Sequence, residues 1–428
     1  MKKKRPDSRS RSHALPAPSA ETRQSLLALY RSGKLQPVIS ESEKLIENYP
    51  SHPFAYHLLG VALRRLNKNR EAAQCLEIAC RLSPGNSDML NSLAKVYCNL
   101  QAYDKARASL ENVLSLKPQD GQTRLLMCRA MIGLGDLPEA LAQGRQAVEL
   151  DPGNYEAHYY YSSALKHAGQ LPIAVIHGRE ATALRLAIPP GAPVPRHKGG
   201  FDSAGNELLL WRVLTRFAAA GIHGFATAGT LLGLVRDGAL LPFDKDMDVA
   251  LPFREMNAAA RCLEADGWKE DHRSFGLINP RSFVHQKTGF VVDLCGLIAE
   301  TDTTSAAGGF WMANIPKEWN RFTEFPPVQL KKVRRREGHI WSLVHPEQWL
   351  ESLYGDWRTP DPHFDTVLCA KNLRGFSLLT ECFAWQRTVA MLESGQLRKA
   401  EAIARACLRH QPDESLWQLI IEYCQKAG

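Results

Sequence analysis

Residues 53–84 read PFAYHLLGVALRRLNKNREAAQCLEIACRLSP and close on a proline with counterparts at Pro50, Pro118 and Pro152, a recurrence of 34 residues. Each interval holds two stretches of helical apolar spacing. A proline ends the second, where its missing N–H and its ring stop a helix. Tyr56, Leu59, Gly60, Ala72, Leu76 and Ala79 in this copy are answered by Leu93, Ala94, Tyr97, Ala106 and Leu110 in the next. Cys128, Ala140, Gly144 and Ala147 follow in the copy after that. Paired amphipathic helices of this kind bury their apolar faces by stacking on their neighbours, and small residues mark where they cross.

The period and its residues resemble the tetratricopeptide repeat. A first copy, LLALYRSGKLQPVISESEKLIENYP, and a fifth, HYYYSSALKHAGQLPIAVIHGREATAL, extend the array over residues 20–188, about five repeats. The resemblance implies an all-α solenoid whose concave surface takes a protein partner, with a spacer as the alternative. Tyr155, Tyr159, Tyr160 and Tyr161 are expected to pack between repeats.

Residues 1–19, MKKKRPDSRSRSHALPAPS, read as a disordered basic tail that concentrates much of the formal charge of +8. The charge is therefore no argument for a nucleic-acid surface, and no specific nucleic-acid partner is expected. No apolar run follows the tail as in a secretory leader, and no stretch is long enough to cross a bilayer. Ten cysteines without a C-x-x-C pair fit a reducing compartment. The expectation is a cytoplasmic protein, with peripheral contact at the inner membrane face left open to the tail. A composition of 44% hydrophobic and 23% charged residues excludes a largely disordered or fibrous chain.

Residues 189–204, opening with PPGAPVPRHKGG, cannot continue a helix and form a linker. Beyond it, residues 205–220 return to helical spacing, a short strand follows, and Gly229-Thr230 opens another helix. Glycine lets the backbone approach a phosphate, the Thr230 hydroxyl offers it a hydrogen bond, and the helix N-terminus presents free N–H groups. Arg236 adds a positive charge.

LPFDKDMDVAL then occupies residues 241–251. In a strand the side-chain period is two, so Asp244, Asp246 and Asp248 share one face, and Met247 and Val249 take the other. Three like charges on one face require either water or a divalent cation, and the apolar flanks favour the cation, Mg2+ or Mn2+. Gly-Thr followed by D-x-D resembles the spacing of the nucleotidyltransferase fold, one pair for nucleotide phosphates and one for the metal that bridges them. Asp293, inside the apolar strand GFVVDLC, is costly to bury alone and points to the same metal, a structural salt bridge being the alternative. His285 and Lys287 read as solvated loop residues.

The segment TAGTLLGLVRDGALLPFDKDMDVAL, residues 227–251, resembles the LicD and fukutin-like phosphotransferases, marked by G-T-L-L-G, a downstream Arg and a D-x-D-x-D strand. His345-Pro346-Glu347, Leu350 and Tyr354-Gly355-Asp356-Trp357 are similar to that family's C-terminal signature. The likeness covers roughly residues 205–362, within a domain of residues 205–380. It implies transfer of a phosphorylated alcohol, such as phosphocholine or ribitol phosphate, from a CDP-activated donor to a hydroxyl of a glycan or lipid-linked glycan. By position, it implies that Asp246 and Asp248 ligate the metal and Asp244 completes the acidic strand. Gly229 and Thr230 would contact donor phosphate, and Asp293 would be a further ligand or the base. Asp356 and Trp357 are expected to serve the fold.

Residues 300–324 are expected to form a mobile acceptor loop. Residues 381–428 regain repeat spacing through Ala400, Ala404, Cys407 and Pro412, and would pack against the catalytic domain or another chain. The fold class is therefore multidomain: an all-α tetratricopeptide solenoid, an α+β nucleotidyltransferase-like domain and a C-terminal helical repeat. A scaffold with a silent domain and a nucleotidyltransferase moving NMP are the alternative functions.

Overall fold

The computed structural model describes residues 17–189, 203–242, 244, 246–271, 276–299 and 305–427; nearly all of the basic tail and of the linker lie outside the described residues. The chain divides into two compact units, residues 1–126 and 127–428.

Helices alternate in pairs: α1 (Ala20–Arg31) and α2 (Leu35–Asn48), α3 (Pro53–Arg65) and α4 (Asn69–Leu82), α5 (Ser87–Asn99) and α6 (Tyr103–Leu116). Then come α7 (Gly121–Leu134) and α8 (Leu137–Leu150), α9 (Tyr155–His167) and α10 (Leu171–Leu186). The recurring proline stands two residues before each new pair's cap. His52, Asn86 and Asn154 accept N–H groups of the helix they open, and Asp120 does so for α7. Such a cap satisfies backbone donors that the first turn leaves orphaned. In the first unit Leu26, Val38, Leu45, Ala55, Leu58 and Ala62 form the core. Gly60, Ala72, Ala94 and Ala106 are all buried, as small residues at helix crossings must be.

The second unit continues from the repeats into an α+β domain. Its strands are β1 (Phe225–Ala226), β2 (Asp246–Pro252), β3 (Trp268–Glu270), β4 (Leu277–Asn279), β5 (Arg281–His285) and β6 (Val291–Ala299). There follow β7 (Ala306–Met312), β8 (Arg321–Phe325), β9 (Leu330–Arg335), β10 (Gly338–Leu343) and β11 (Leu373–Arg374). The helices are α11 (Ser203–Ala219), α12 (Ala228–Arg236), α13 (Met256–Ala265) and α14 (Pro346–Tyr354). One sheet runs β1-β2-β6-β7-β8-β11, with β5 also on β6, β3 on β5 and β4 on β7; β9 and β10 make a separate hairpin. Strands β2 and β6 pair in parallel.

Alternation along β2 and β6 decides what each face does. Met247, Val249, Leu251, Val292 and Leu294 pack with residues of α11 and α13, including Phe217 and Met256, in one core. The opposite face carries Asp246, Asp248 and Asp293, with a second core of Phe225, Leu231, Ala250, Trp349 and Leu350 beside it. Residues 306–312 and 321–325 are strands β7 and β8 rather than the expected loop; residues 300–304 lie outside the described residues. Gly308 and Gly309, lacking side chains, form part of a cavity wall there.

Three helices follow the sheet: α15 (Leu378–Glu393), α16 (Leu397–Leu408) and α17 (Ser415–Ala427). They pack on the α+β domain through Val367 and Leu368, as expected, and also on the fifth repeat. Trp385 of α15 stacks on Trp417 of α17 at 3.7 Å. A Cβ on Gly178 of α10 would lie 3.0 Å from the Trp385 Cβ, so glycine is what lets these helices approach. The seam is tied by Arg185 Nη2 donating to the Leu392 carbonyl at 3.0 Å and by the Tyr155 hydroxyl donating to Glu393 at 2.8 Å. Helix α15 thus lies against α9 and α10 as the next repeat's first helix would, and the α+β domain is inserted between two repeats.

Candidate active site

A cavity of about 450 Å3 opens over the polar face of the sheet, entirely within the second unit. Its acidic wall is fixed by register. Asp248 of β2 lies directly opposite Asp293 of β6, and Ser282 of β5 lies opposite Asp293 on the other side. Asp246 shares their face two residues earlier. Asp244 also lines the cavity but precedes the strand, its N–H bonded to the Leu241 carbonyl at 3.1 Å, so the acidic alternation is strand only from Asp246 onward. Burial and the neighbouring Asp246 push the Asp244 carboxyl up to about 7. Burial, then Asp246, Asp293 and Asp244, push Asp248 well above the usual carboxylate range, opposed by a hydrogen bond from the Gly229 backbone.

The turn into α12 holds this wall from behind. A Cβ on Gly229 would lie 2.7 Å from Asp244 Oδ2, so the missing side chain makes room for a carboxylate. Thr230 is 1% exposed and its hydroxyl accepts the Asp248 backbone N–H at 2.8 Å. The Thr227 N–H donates to the Asp248 carbonyl at 3.0 Å, and the Thr227 hydroxyl accepts from Trp349 Nε1 at 3.0 Å. Of the three residues expected at donor phosphate, Gly229 lines the cavity; Thr230 and Arg236 do not. Thr230 is committed to the strand. Arg236 is held by Asp237 in a two-pronged pair at 2.9 and 3.0 Å.

Asp244 Oδ2 is buried without a hydrogen-bond partner among the described residues, and oxygen ligands suit a hard divalent cation. The donor set fits Mg2+ or Mn2+ in its chemistry, although among the described residues no three His, Cys, Asp or Glu side chains converge as a ready-made cage.

Cations line the cavity as well. Lys166 and His167 from α9, Arg321 from β8 and Arg387 from α15 line it, together with Phe310 and Phe383, whose rings are 5.1 Å apart. None of these was singled out in the sequence. A lysine on a repeat helix and an arginine on a later one look like solvated charges, and only the insertion of the domain between repeats brings them to one wall. His285 bonds Thr288 and packs on Trp268 outside the cavity. Asp356 is bonded by the Thr359 hydroxyl at 2.7 Å, and Trp357 is buried in the core beside Trp349.

Among the described residues no helix is long and apolar enough to cross a membrane, and the ten cysteines are free thiols. Comparison with known proteins matches the repeats and the α+β domain separately. Residues 28–160 match the Psidin N-terminal TPR repeats region, and residues 128–193 match the tetratricopeptide repeat. Residues 221–297 match the LicD/FKTN/FKRP nucleotidyltransferase domain. Similar solved structures include MamA from Desulfovibrio magneticus RS-1, 19% identical over 41% of this chain and 98% of that one, TM-score 0.35. YrrB, described as a TPR protein with an unusual peptide-binding site, is 22% identical over 39% of this chain and 86% of its own, TM-score 0.33. A thermophilic TPR protein of Thermus thermophilus, TTC0263, is 17% identical over 38% of this chain and 90% of its own, TM-score 0.35. With the matched segment spanning β1, α12, β2 and most of β6, the chain carries a LicD-family nucleotidyltransferase domain fused to tetratricopeptide repeats.

Proposed function

We propose that the domain moves a phosphorylated alcohol from a CDP-activated donor to a hydroxyl of a glycan or lipid-linked glycan, releasing CMP, while the repeats recruit a protein partner. The observation that carries this reading is the pairing of Asp248 with Asp293 on one cavity wall, with Asp246 and Asp244 beside them. Carboxylates so close raise one another's cost of ionisation, and a divalent cation carrying a diphosphate relieves it. When bound, Mg2+ or Mn2+ would be held by Asp244, Asp246 and Asp248 and would offset the diphosphate's charge, with Asp293 left as the base.

The residues of the chain supply position and proton transfer. Thr230 and Gly229 hold Asp248 by its backbone and its carboxylate. Trp349 and Phe325, stacked at 4.3 Å, make an apolar wall that limits water. In the transfer, the acceptor oxygen forms a bond to the alcohol's phosphorus as the bond from phosphorus to the CMP oxygen breaks, its electron pair leaving with CMP. The acceptor's proton passes to a carboxylate, which we assign to Asp293.

The test is thermal stability of the full chain with a panel of CDP-alcohols and CTP, with and without Mg2+ or Mn2+, in wild type and in an Asp246→Asn, Asp248→Asn variant. One CDP-alcohol should stabilise the wild type only with metal, and the variant should not respond. Product analysis should find free CMP. Nucleotide attached to the acceptor would instead make the reaction NMP transfer, and silence toward every nucleotide would place the function in the repeats.

A further inference from the structure

The cations that line the cavity outnumber the carboxylates that pair with them. Lys166 Nζ lies 4.5 Å from the centre of the Phe383 ring and has no carboxylate partner among the described residues. Arg321 is buried, with its guanidinium 5.2 Å from the Phe310 ring centre. It donates to the carbonyls of Val367 and Thr366 through Nε and Nη2, at 2.9 and 3.2 Å. Arg387 bonds Asp365 at 2.9 Å, a carboxylate that Lys399 also approaches at 3.7 Å. The cluster therefore carries more positive charge than Asp365 offsets. Desolvated cations without matching anions are costly, and burial with Arg387 nearby lowers the Lys166 ammonium to about 8, as burial with Arg387 lowers Arg321 to about 9.

We infer that Lys166, Arg321 and Arg387 form an anion subsite that takes a phosphate group on the acceptor substrate. The inference rests on reading this cavity as the transferase site. Arginine and lysine beside aromatic faces suit a phosphate ester, with guanidinium donors for its oxygens. Position selects the acceptor over the donor. Arg321 stands on β8, two strands along the sheet from Asp293 on β6, a lateral step of about 10 Å that leaves room for a second anion beside a donor diphosphate at the carboxylates. In-line transfer needs the attacking oxygen on the side of phosphorus away from the departing CMP, so an anionic acceptor needs an anchor separate from the donor's carboxylate site, and this cluster supplies one. The subsite is composite: the last helix pair of the array gives Lys166, the inserted domain Arg321, and the following repeat Arg387. The repeats thus help to build the substrate site itself.

Calorimetric titration of inorganic phosphate into EDTA-treated full chain tests this. Wild type should bind phosphate without metal, Lys166→Met should weaken it about 10-fold or more, and Lys166→Arg should restore it. Arg387→Gln should weaken it similarly. The Asp246→Asn, Asp248→Asn variant should bind at least as tightly as wild type, since it removes negative charge from the same cavity. Equal affinity in Lys166→Met and wild type, or no phosphate binding at all, overturns the subsite. A second titration in saturating CDP and Mg2+ identifies the source of the phosphate: continued binding supports the acceptor, and displacement by CDP overturns that assignment. Phosphate binding in a protein that fails to bind CDP with metal would leave the subsite standing while the transferase reading falls.

Discussion

Gly229 and Asp244 occupy one another's space: the carboxylate Oδ2 sits 2.7 Å from where a Gly229 Cβ would stand. Gly229→Ala should therefore drive Asp244 out of place. Overpacking of this kind costs about 1–3 kcal/mol. The expected outcome is a folded protein with a lowered melting temperature and a weakened metal-dependent response to the CDP-alcohol. An unchanged response would show that the Asp244 position does not matter to the ligand.

Thr230 should act through stability. Its buried hydroxyl accepts the Asp248 N–H, and Thr230→Val leaves that donor without a partner at a cost of about 1–3 kcal/mol. Thr230→Ser keeps the acceptor and should recover most of the loss. Urea denaturation of the three proteins measures both.

The Asp244 carboxyl, raised to about 7, gives the metal-free protein a pH dependence of definite sign. A carboxyl with a higher pKa folded than unfolded contributes stability that is present below its ordinary range and is lost as pH rises through about 7. Melting in EDTA should show wild type losing more stability between pH 5 and pH 8 than Asp244→Asn does. Parallel curves would mean that Asp244 ionises freely.

Lys166 has the opposite sign. With its ammonium lowered to about 8, folding is penalised at lower pH, where the buried charge is present, and the penalty fades as pH rises from 8 toward the ordinary lysine value. Lys166→Met should stabilise the protein at pH 7, on the order of 2 kcal/mol, and converge with wild type at about pH 10. The same substitution should weaken phosphate binding. Stability gained where binding is lost separates a functional cation from a packing one.

The Trp385–Trp417 stack is fully buried, and Trp417→Ala should cost about 3–5 kcal/mol. Since α15 also carries Arg387, loosening this stack should weaken phosphate binding as well, measured by the same calorimetry.

Periodicity made the repeats readable, because Pro50, Pro84, Pro118 and Pro152 and the small crossing residues recur at fixed spacing. The caps two residues after each proline were equally present in the sequence and add a signal of their own. The acidic wall was readable because a period of two sends Asp246 and Asp248 to one face, and an isolated charge in GFVVDLC marks Asp293. Local reading gave Thr230 and Arg236 to a ligand, whereas tertiary partners claim both: the Asp248 amide for Thr230 and the Asp237 carboxylate for Arg236. The cationic wall was not legible at all. Lys166, Arg321 and Arg387 meet through contacts between distant segments, which no local pattern encodes.

The seam between the fifth repeat and α15 joins Arg185 to Leu392 and Ser162 to Gln386, residues 207 and 224 apart in sequence. Ordinary repeat arrays zip from neighbour to neighbour, with only short loops to close. Here one step of the zipper spans an entire inserted domain. Loop-closure entropy grows only logarithmically, so relative to a short turn the excursion costs roughly 3 kcal/mol while the inserted domain is unfolded. Docking of the C-terminal helices is therefore coupled to the inserted domain, since a folded domain with its ends close together removes most of that closure cost. Closure of the solenoid thus favours chains whose inserted domain has folded, and the same closure carries Arg387 to the cavity.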